Sequence, residues 1–119
     1  MTDLYPRFLY PGTGSSGGLR EMTAYLVADL DVKDPEELRR YAERVPETIA
    51  KHGGRYLARR TRIEVLEGTW RPKLLTIVEF PSWEAAMKWY NSPEYRPLKE
   101  MRNRAAPTNL LVVDGGAQA

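Results

Sequence analysis

The sequence predicts one α+β domain in which a four-stranded antiparallel sheet carries helices on one face. Three observations predict it. The chain has 119 residues, the size of a single domain. Beyond residue 21 its apolar residues recur alternately at period two and near period 3.6, in the order strand, helix, strand, strand, helix, strand. Finally, the third and fourth strands are almost continuous apolar runs, whereas a strand with one wet face alternates.

Residues 1–21 contain Pro6, Pro11 and a Gly/Ser run from Gly12 to Gly18, a composition that suits neither helix nor strand. They read as a flexible arm, or as an extension added ahead of a natural start at Met22. A third alternative is that Tyr5, Phe8, Leu9 and Tyr10 pack on a partner subunit. The domain proper spans 22–116. Thr23 to Leu30 forms the first strand, with Ala24, Leu26, Ala28 and Leu30 on one face. Asp34-Pro35-Glu36-Glu37 then starts a helix: Asp34 accepts from free N–H groups, Pro35 suits the first turn, and the glutamates oppose the helix dipole. Leu38, Tyr41, Ala42, Val45 and Ile49 form its apolar stripe. Pro46 is expected to kink or split this helix, and Gly53-Gly54 to end it in a left-handed cap.

The second strand is expected over Arg55–Glu67, with a bulge or bend at Arg59–Arg62. After the turn Gly68–Pro72, Lys73–Phe80 is the third strand. Ser82 caps a helix with Trp83, Ala86, Met87 and Tyr90 on one side, and Ser92-Pro93-Glu94 starts another with Tyr95, Leu98 and Met101. Asn109–Asp114 is the fourth strand. The order βαββαβ is that of the split, ferredoxin-like topology. Its helices cover one sheet face only. A second copy of the chain is therefore expected to cover the other, as an isologous homodimer.

Composition excludes several classes of chemistry. Without cysteine there is no disulfide, thiolate zinc site, iron–sulfur cluster or cysteine nucleophile. A single histidine, His52, rules out a multi-histidine metal site, and the carboxylates show no metal-ligand spacing, so neither metal nor cofactor is expected. No run approaches a membrane span and the N-terminus lacks a signal-peptide pattern, so a soluble cytoplasmic protein without membrane contact is expected. Eighteen Lys and Arg against 16 Asp and Glu, scattered along the chain, give no basic footprint for nucleic acid. RNA-recognition domains share the strand order, but their third strand displays aromatic rings. Here it offers Leu74, Leu75, Ile77 and Val78, which argues against nucleic acid as a partner.

Glu79 and His52 are the catalytic candidates. Glu79 is a carboxylate among apolar neighbours, where desolvation favours acid–base work; the alternative is an ion pair with an arginine at the sheet edge. His52 offers a general base or haem ligand; the alternative, which its place in the last turn of a helix favours, is a donor to the free carbonyls there. Among the arginines, Arg59, Arg60 and Arg71 are candidates to bind a small anionic or aromatic molecule, together with Tyr95 and Asn109. The alternative for the arginines is a solvated strand, and for the tyrosine a core contact. No phosphate-binding loop or nucleophile elbow is present.

Several segments in order resemble one family: Met22-Thr23-Ala24-Tyr25, Gly53-Gly54-Arg55-Tyr56-Leu57, Glu64 to Pro72, Glu79 to Ala86, and Trp89-Tyr90-Asn91-Ser92-Pro93-Glu94-Tyr95. The chain resembles the bacterial domain of unknown function numbered 1330, of the dimeric α+β barrel superfamily. The resemblance implies the ferredoxin-like fold and a sheet-to-sheet dimer, and no fixed activity, since the superfamily includes cofactor-free oxygenases, isomerases and haem-binding enzymes. Asn91 stands where the family commonly has Asp, and Arg60-Thr61 where it has a Gly-rich bend; a site using either position would be altered. The expected function is accordingly a cofactor-independent small-molecule enzyme using acid–base chemistry, or a ligand-binding or purely associative dimer.

Overall fold

The computed structural model describes residues 23–115, so the reading of 1–21 as an arm lies outside the described residues. Strand β1 (Ala24–Leu30) leads into helix α1 (Pro35–Lys51), followed by β2 (Arg55–Arg59), β3 (Leu75–Phe80), α2 (Trp83–Tyr90), α3 (Arg96–Ala105) and β4 (Thr108–Asp114). The sheet order is β2-β3-β1-β4 with every neighbouring pair antiparallel, which is the ferredoxin-like arrangement.

Along β1 burial alternates strictly, and Ala24, Leu26, Ala28 and Leu30 are buried under the helices. Val78 and Phe80 join them from β3 and Leu110 and Val112 from β4. The helix layer adds Val45 and Ile49 from α1, Ala86 and Trp89 from α2, and Tyr95 and Leu98 around the start of α3. Trp89 and Tyr95 stack with centroids 4.0 Å apart. The other sheet face carries Tyr25, Val27, Leu57, Leu75, Ile77, Leu111 and Val113. Ile77, Val27 and Leu111 lie in one row across its centre. Leu111 is 52% exposed, Leu57 47% and Val113 45%.

The helix ends follow the sequence. Asp34 accepts from the Glu37 N–H at 3.1 Å, and Ser82 Oγ from the Ala85 N–H at 3.0 Å. At the end of α1 the Gly53 N–H donates to Ala50 O and the Gly54 N–H to Ile49 O, the double bond of a Schellman cap. Gly53 has φ 81°, as that cap requires. A Cβ on Gly54 would sit 2.7 Å from both Ile49 and Phe80, so α1 meets β3 there at a distance only glycine allows.

Four expectations need correction. Helix α1 is not split at Pro46 but runs through it. Proline lacks the N–H that would bond the carbonyl four residues earlier, that of Ala42. Arg59 Nη2 donates to this carbonyl at 2.7 Å, so the group left over by Pro46 is satisfied from β2. Second, β2 ends at Arg59 rather than Glu67: Arg60 turns into the left-handed region with φ 57°, and residues 61–67 pair with no described strand. Third, the buried side of α2 is Ala86 and Trp89, while Trp83 is 42% exposed. Fourth, α3 begins at Arg96, after a turn in which Ser92 Oγ accepts from the Tyr95 N–H at 3.2 Å.

The link between Pro46 and Arg59 gives a double-mutant cycle. Arg59→Ala strands a carbonyl and is expected to destabilise by about 1–2 kcal/mol. In a Pro46→Ala background the restored N–H takes over and the same change is expected to be nearly neutral. Urea unfolding of the four proteins measures the difference.

Candidate functional site

A local irregularity in β2 builds the site. Tyr56 pairs with Val78 and Ala58 with Ile77, so Leu57 is the extra residue of a bulge. Without it Arg59 would fall opposite Leu75 on the open face. With it Arg59 lies opposite Thr76, on the helix side, and Tyr56 and Arg59 share that side. The Arg59 guanidinium rests 4.5 Å over the Tyr56 ring.

These residues rim a cavity of about 60 Å³ between the sheet, α1 and α3. Its walls are aliphatic, including Leu26, Leu30, Leu38, Val45, Val78 and Leu110, and Arg60 stands exposed at its mouth. Arg60 holds its left-handed backbone without being glycine, which costs on the order of 1 kcal/mol. The left-handed bend is thus made here by an arginine at a cavity mouth.

Inside the cavity three polar side chains converge. Tyr41 Oη lies 2.9 Å from Tyr95 Oη, and Arg102 Nη1 donates to Tyr95 Oη at 2.6 Å. Tyr95 is fully buried and Arg102 is 5% exposed. Arg102 Nη2 donates to Asn103 Oδ1 at 2.9 Å, while its Nε has no hydrogen-bond partner among the described residues. No described carboxylate pairs with Arg102 within 4 Å. Burial pushes the Tyr41 phenol well up from its ordinary value and the Tyr95 phenol up, the Arg102 charge opposing the rise at both. Both phenols therefore stay neutral and able to donate at physiological pH.

Of the residues singled out in the sequence, Arg59, Arg60 and Tyr95 come together at this cavity. The others lie elsewhere. Glu79 is on the open sheet face, bound by Arg55 Nε at 2.8 Å. His52 Nδ1 bonds Thr48 O at 3.0 Å at the C-terminus of α1, beside an open groove formed with α2. Arg71 folds back on its own loop, donating to Gly68 O and Trp70 O, and shares a surface groove with Asn109. Asn91 caps α2 through Nδ2 donating to Met87 O, a bond an Asp carboxylate cannot make. No cluster of three or more His, Cys, Asp or Glu able to hold a metal occurs among the described residues.

Arg102 and Tyr41 were not singled out as site residues. The signal for Arg102 was its place in α3: Leu98, Arg102 and Ala105, at i, i+4 and i+7, form the buried stripe, so a cation occupies a core position. No described helix is long and apolar enough to cross a membrane.

Comparison with known proteins fits the geometry. Residues 23–116 match the model of a domain of unknown function (DUF1330). No curated protein matches the sequence. Among solved structures, the RPA0582 protein of unknown function from Rhodopseudomonas palustris is similar at 18% identity with TM-score 0.64, over 84% of this chain and 86% of that one. SnoaB, a cofactor-independent oxygenase from Streptomyces nogalater, is similar at 13% identity with TM-score 0.59, over 82% and 96%. A conserved protein from Methanosarcina mazei Go1 gives 16% and 0.52, over 80% and 94%. At these identities the likeness to solved structures is one of fold.

The raised phenols set an alkaline limit. Because the folded state holds these protons more tightly than the unfolded chain, their contribution is fully present below the unfolded phenol value of about 10 and is lost as pH climbs through the higher folded values. Phenolate absorbance is expected to lag in the native protein relative to the protein in denaturant, and the unfolding midpoint to fall above that pH. Tyr41→Phe should shorten the lag.

Proposed function

We propose that this chain, which belongs to the DUF1330 family, is a small-molecule enzyme that uses the helix-side cavity, works without a metal or organic cofactor, and acts as a homodimer in the cytoplasm. The observation that carries the reading is the convergence of Tyr41, Tyr95 and Arg102 in an otherwise aliphatic cavity, the composition expected of a small-molecule site. Arg102 can only donate. Tyr95 therefore accepts from Arg102 and can donate to Tyr41, which leaves the Tyr41 proton free to be offered to the occupant. Such a chain stabilises charge developing on a substrate oxygen and can transfer a proton to it. SnoaB offers a precedent for cofactor-independent chemistry on this fold, at an identity too low to carry its reaction across.

The open sheet face supports the dimer. Its centre is the aliphatic row of Ile77, Val27 and Leu111, and its ends are polar, with Arg55–Glu79 at one and Asp29 with Asn109 at the other. An apolar middle with a polar rim is the usual anatomy of a protein interface. Full burial of each exposed Leu or Val there is worth about 1.5–3 kcal/mol. Aliphatics bury and do not stack bases, which favours a second copy of the chain over RNA as the occupant.

One observation favours a second reading, ligand binding without turnover: among the described residues no carboxylate or imidazole lines the cavity, so proton transfer there rests on phenols. Two experiments test these proposals. Screening of small enolisable and phenolic compounds is expected to find turnover that falls about 100-fold in Tyr41→Phe and Tyr95→Phe and is unchanged in Glu79→Gln and His52→Ala. Binding without conversion supports the second reading, and turnover indifferent to both phenols sinks the first. In sedimentation equilibrium the wild type is expected to be a dimer and Leu111→Asp a folded monomer; a monomeric wild type contradicts the interface.

A further inference from the structure

The cavity holds an electrostatic mismatch. A guanidinium 95% removed from solvent normally has a carboxylate beside it, because a buried lone charge is among the most unfavourable arrangements in a protein interior. Arg102 has two neutral acceptors, Tyr95 Oη and Asn103 Oδ1, and a third donor, Nε, with no described partner. We propose that Arg102, with Tyr41, is the seat for the planar oxyanion of a small, otherwise apolar ligand: a carboxylate, or an enolate or phenolate oxygen. The inference rests on the cavity being the small-molecule site and names what that site selects.

Shape and charge narrow the class. One guanidinium matches a monoanion, and a space of about 60 Å³ holds only a few waters on the scale where one needs about 10–15 Å³. A phosphate, dianionic and strongly hydrated, would lose more hydration than a single arginine and two neutral phenols return. Aliphatic walls favour hydrocarbon or an aromatic ring behind the charged head. A body larger than the cavity projects through the mouth, where Tyr56, Arg59 and Arg60 stand, and two of those three are cations. The mouth therefore attracts anions as the seat holds them.

The mismatch also separates this role from a structural one. Replacing a buried, uncompensated charge with an apolar side chain of similar length often leaves a fold as stable or more so. If Arg102 serves to receive an anion, Arg102→Met should keep or raise the melting temperature of the ligand-free protein and abolish anion binding. If it serves only as a strut for Tyr95, the same change should lower the melting temperature and leave ligand preference alone.

The test is calorimetric titration and thermal melting of the full chain with benzoate, 4-nitrophenolate, benzamide and inorganic phosphate. Benzoate or 4-nitrophenolate is expected to bind at least about tenfold more tightly than benzamide, the neutral isostere of benzoate, and phosphate not to bind. That preference should disappear in Arg102→Met and weaken in Tyr41→Phe, which removes only a hydroxyl and keeps the fold should Arg102→Met unfold. Benzamide binding as tightly as the anions, or an anion preference that survives both substitutions, overturns the seat while leaving the cavity as a ligand site. No binding of any of the four aromatic or inorganic probes, with the melting temperature unmoved throughout, overturns the seat together with the cavity reading.

Discussion

The strict alternation of side chains along β1 is the constraint on which the rest depends. As a central strand it has a neighbour on each edge, and its register fixes which side chains of β3 and β4 face the helices and which do not. One face holds the core and the cavity. The other holds Tyr25, Val27 and Asp29, and with them an uncovered aliphatic row. A slip of one residue would exchange the two faces, so the cavity and the proposed interface have one common cause.

Departures from regularity on the cavity side are concentrated in a few residues that depend on one another. Pro46 leaves the Ala42 carbonyl free; Arg59 takes it; and Arg59 reaches it only because the Leu57 bulge changes the parity of β2. The next residue, Arg60, carries the left-handed turn that ends the strand. Opposite them, Arg102 brings a charge into the core at a cost of several kcal/mol relative to solvent, only part of which its neutral partners offset. Strain and unsatisfied polarity of this kind gather where a protein binds or reacts, because stability alone would select against them.

Much of the fold was legible because it depends on local rules. Asp34, Ser82 and Gly53 act at single positions whose backbone needs only certain residues can meet, and β1 displays its two faces directly as a period of two. The site was less legible because it depends on register. Whether Arg59 faces the helices or the open side is decided by one extra residue in the ladder, which no composition rule marks. The eight-residue α2 is too short for its apolar period to distinguish Trp83 from Trp89 as the buried ring. Arg102 was hidden by its charge: a guanidinium on a helix is ordinarily solvated, and only its spacing from Leu98 and Ala105 places it in the core. Arg59, Arg60 and Tyr95 were singled out in the sequence as separate candidates, and the fold brings them to one cavity.

The central claim is that the helix-side cavity, and not the open sheet face or the groove beside His52, is where a small molecule binds. A crystal structure of the protein grown with benzoate tests it most directly. The account predicts the carboxylate inside the cavity, within hydrogen-bond distance of the Arg102 guanidinium, and the ring directed to the mouth at Tyr56, Arg59 and Arg60. A cavity holding only water bridged to Arg102, with benzoate on the open sheet face or beside His52, would contradict it.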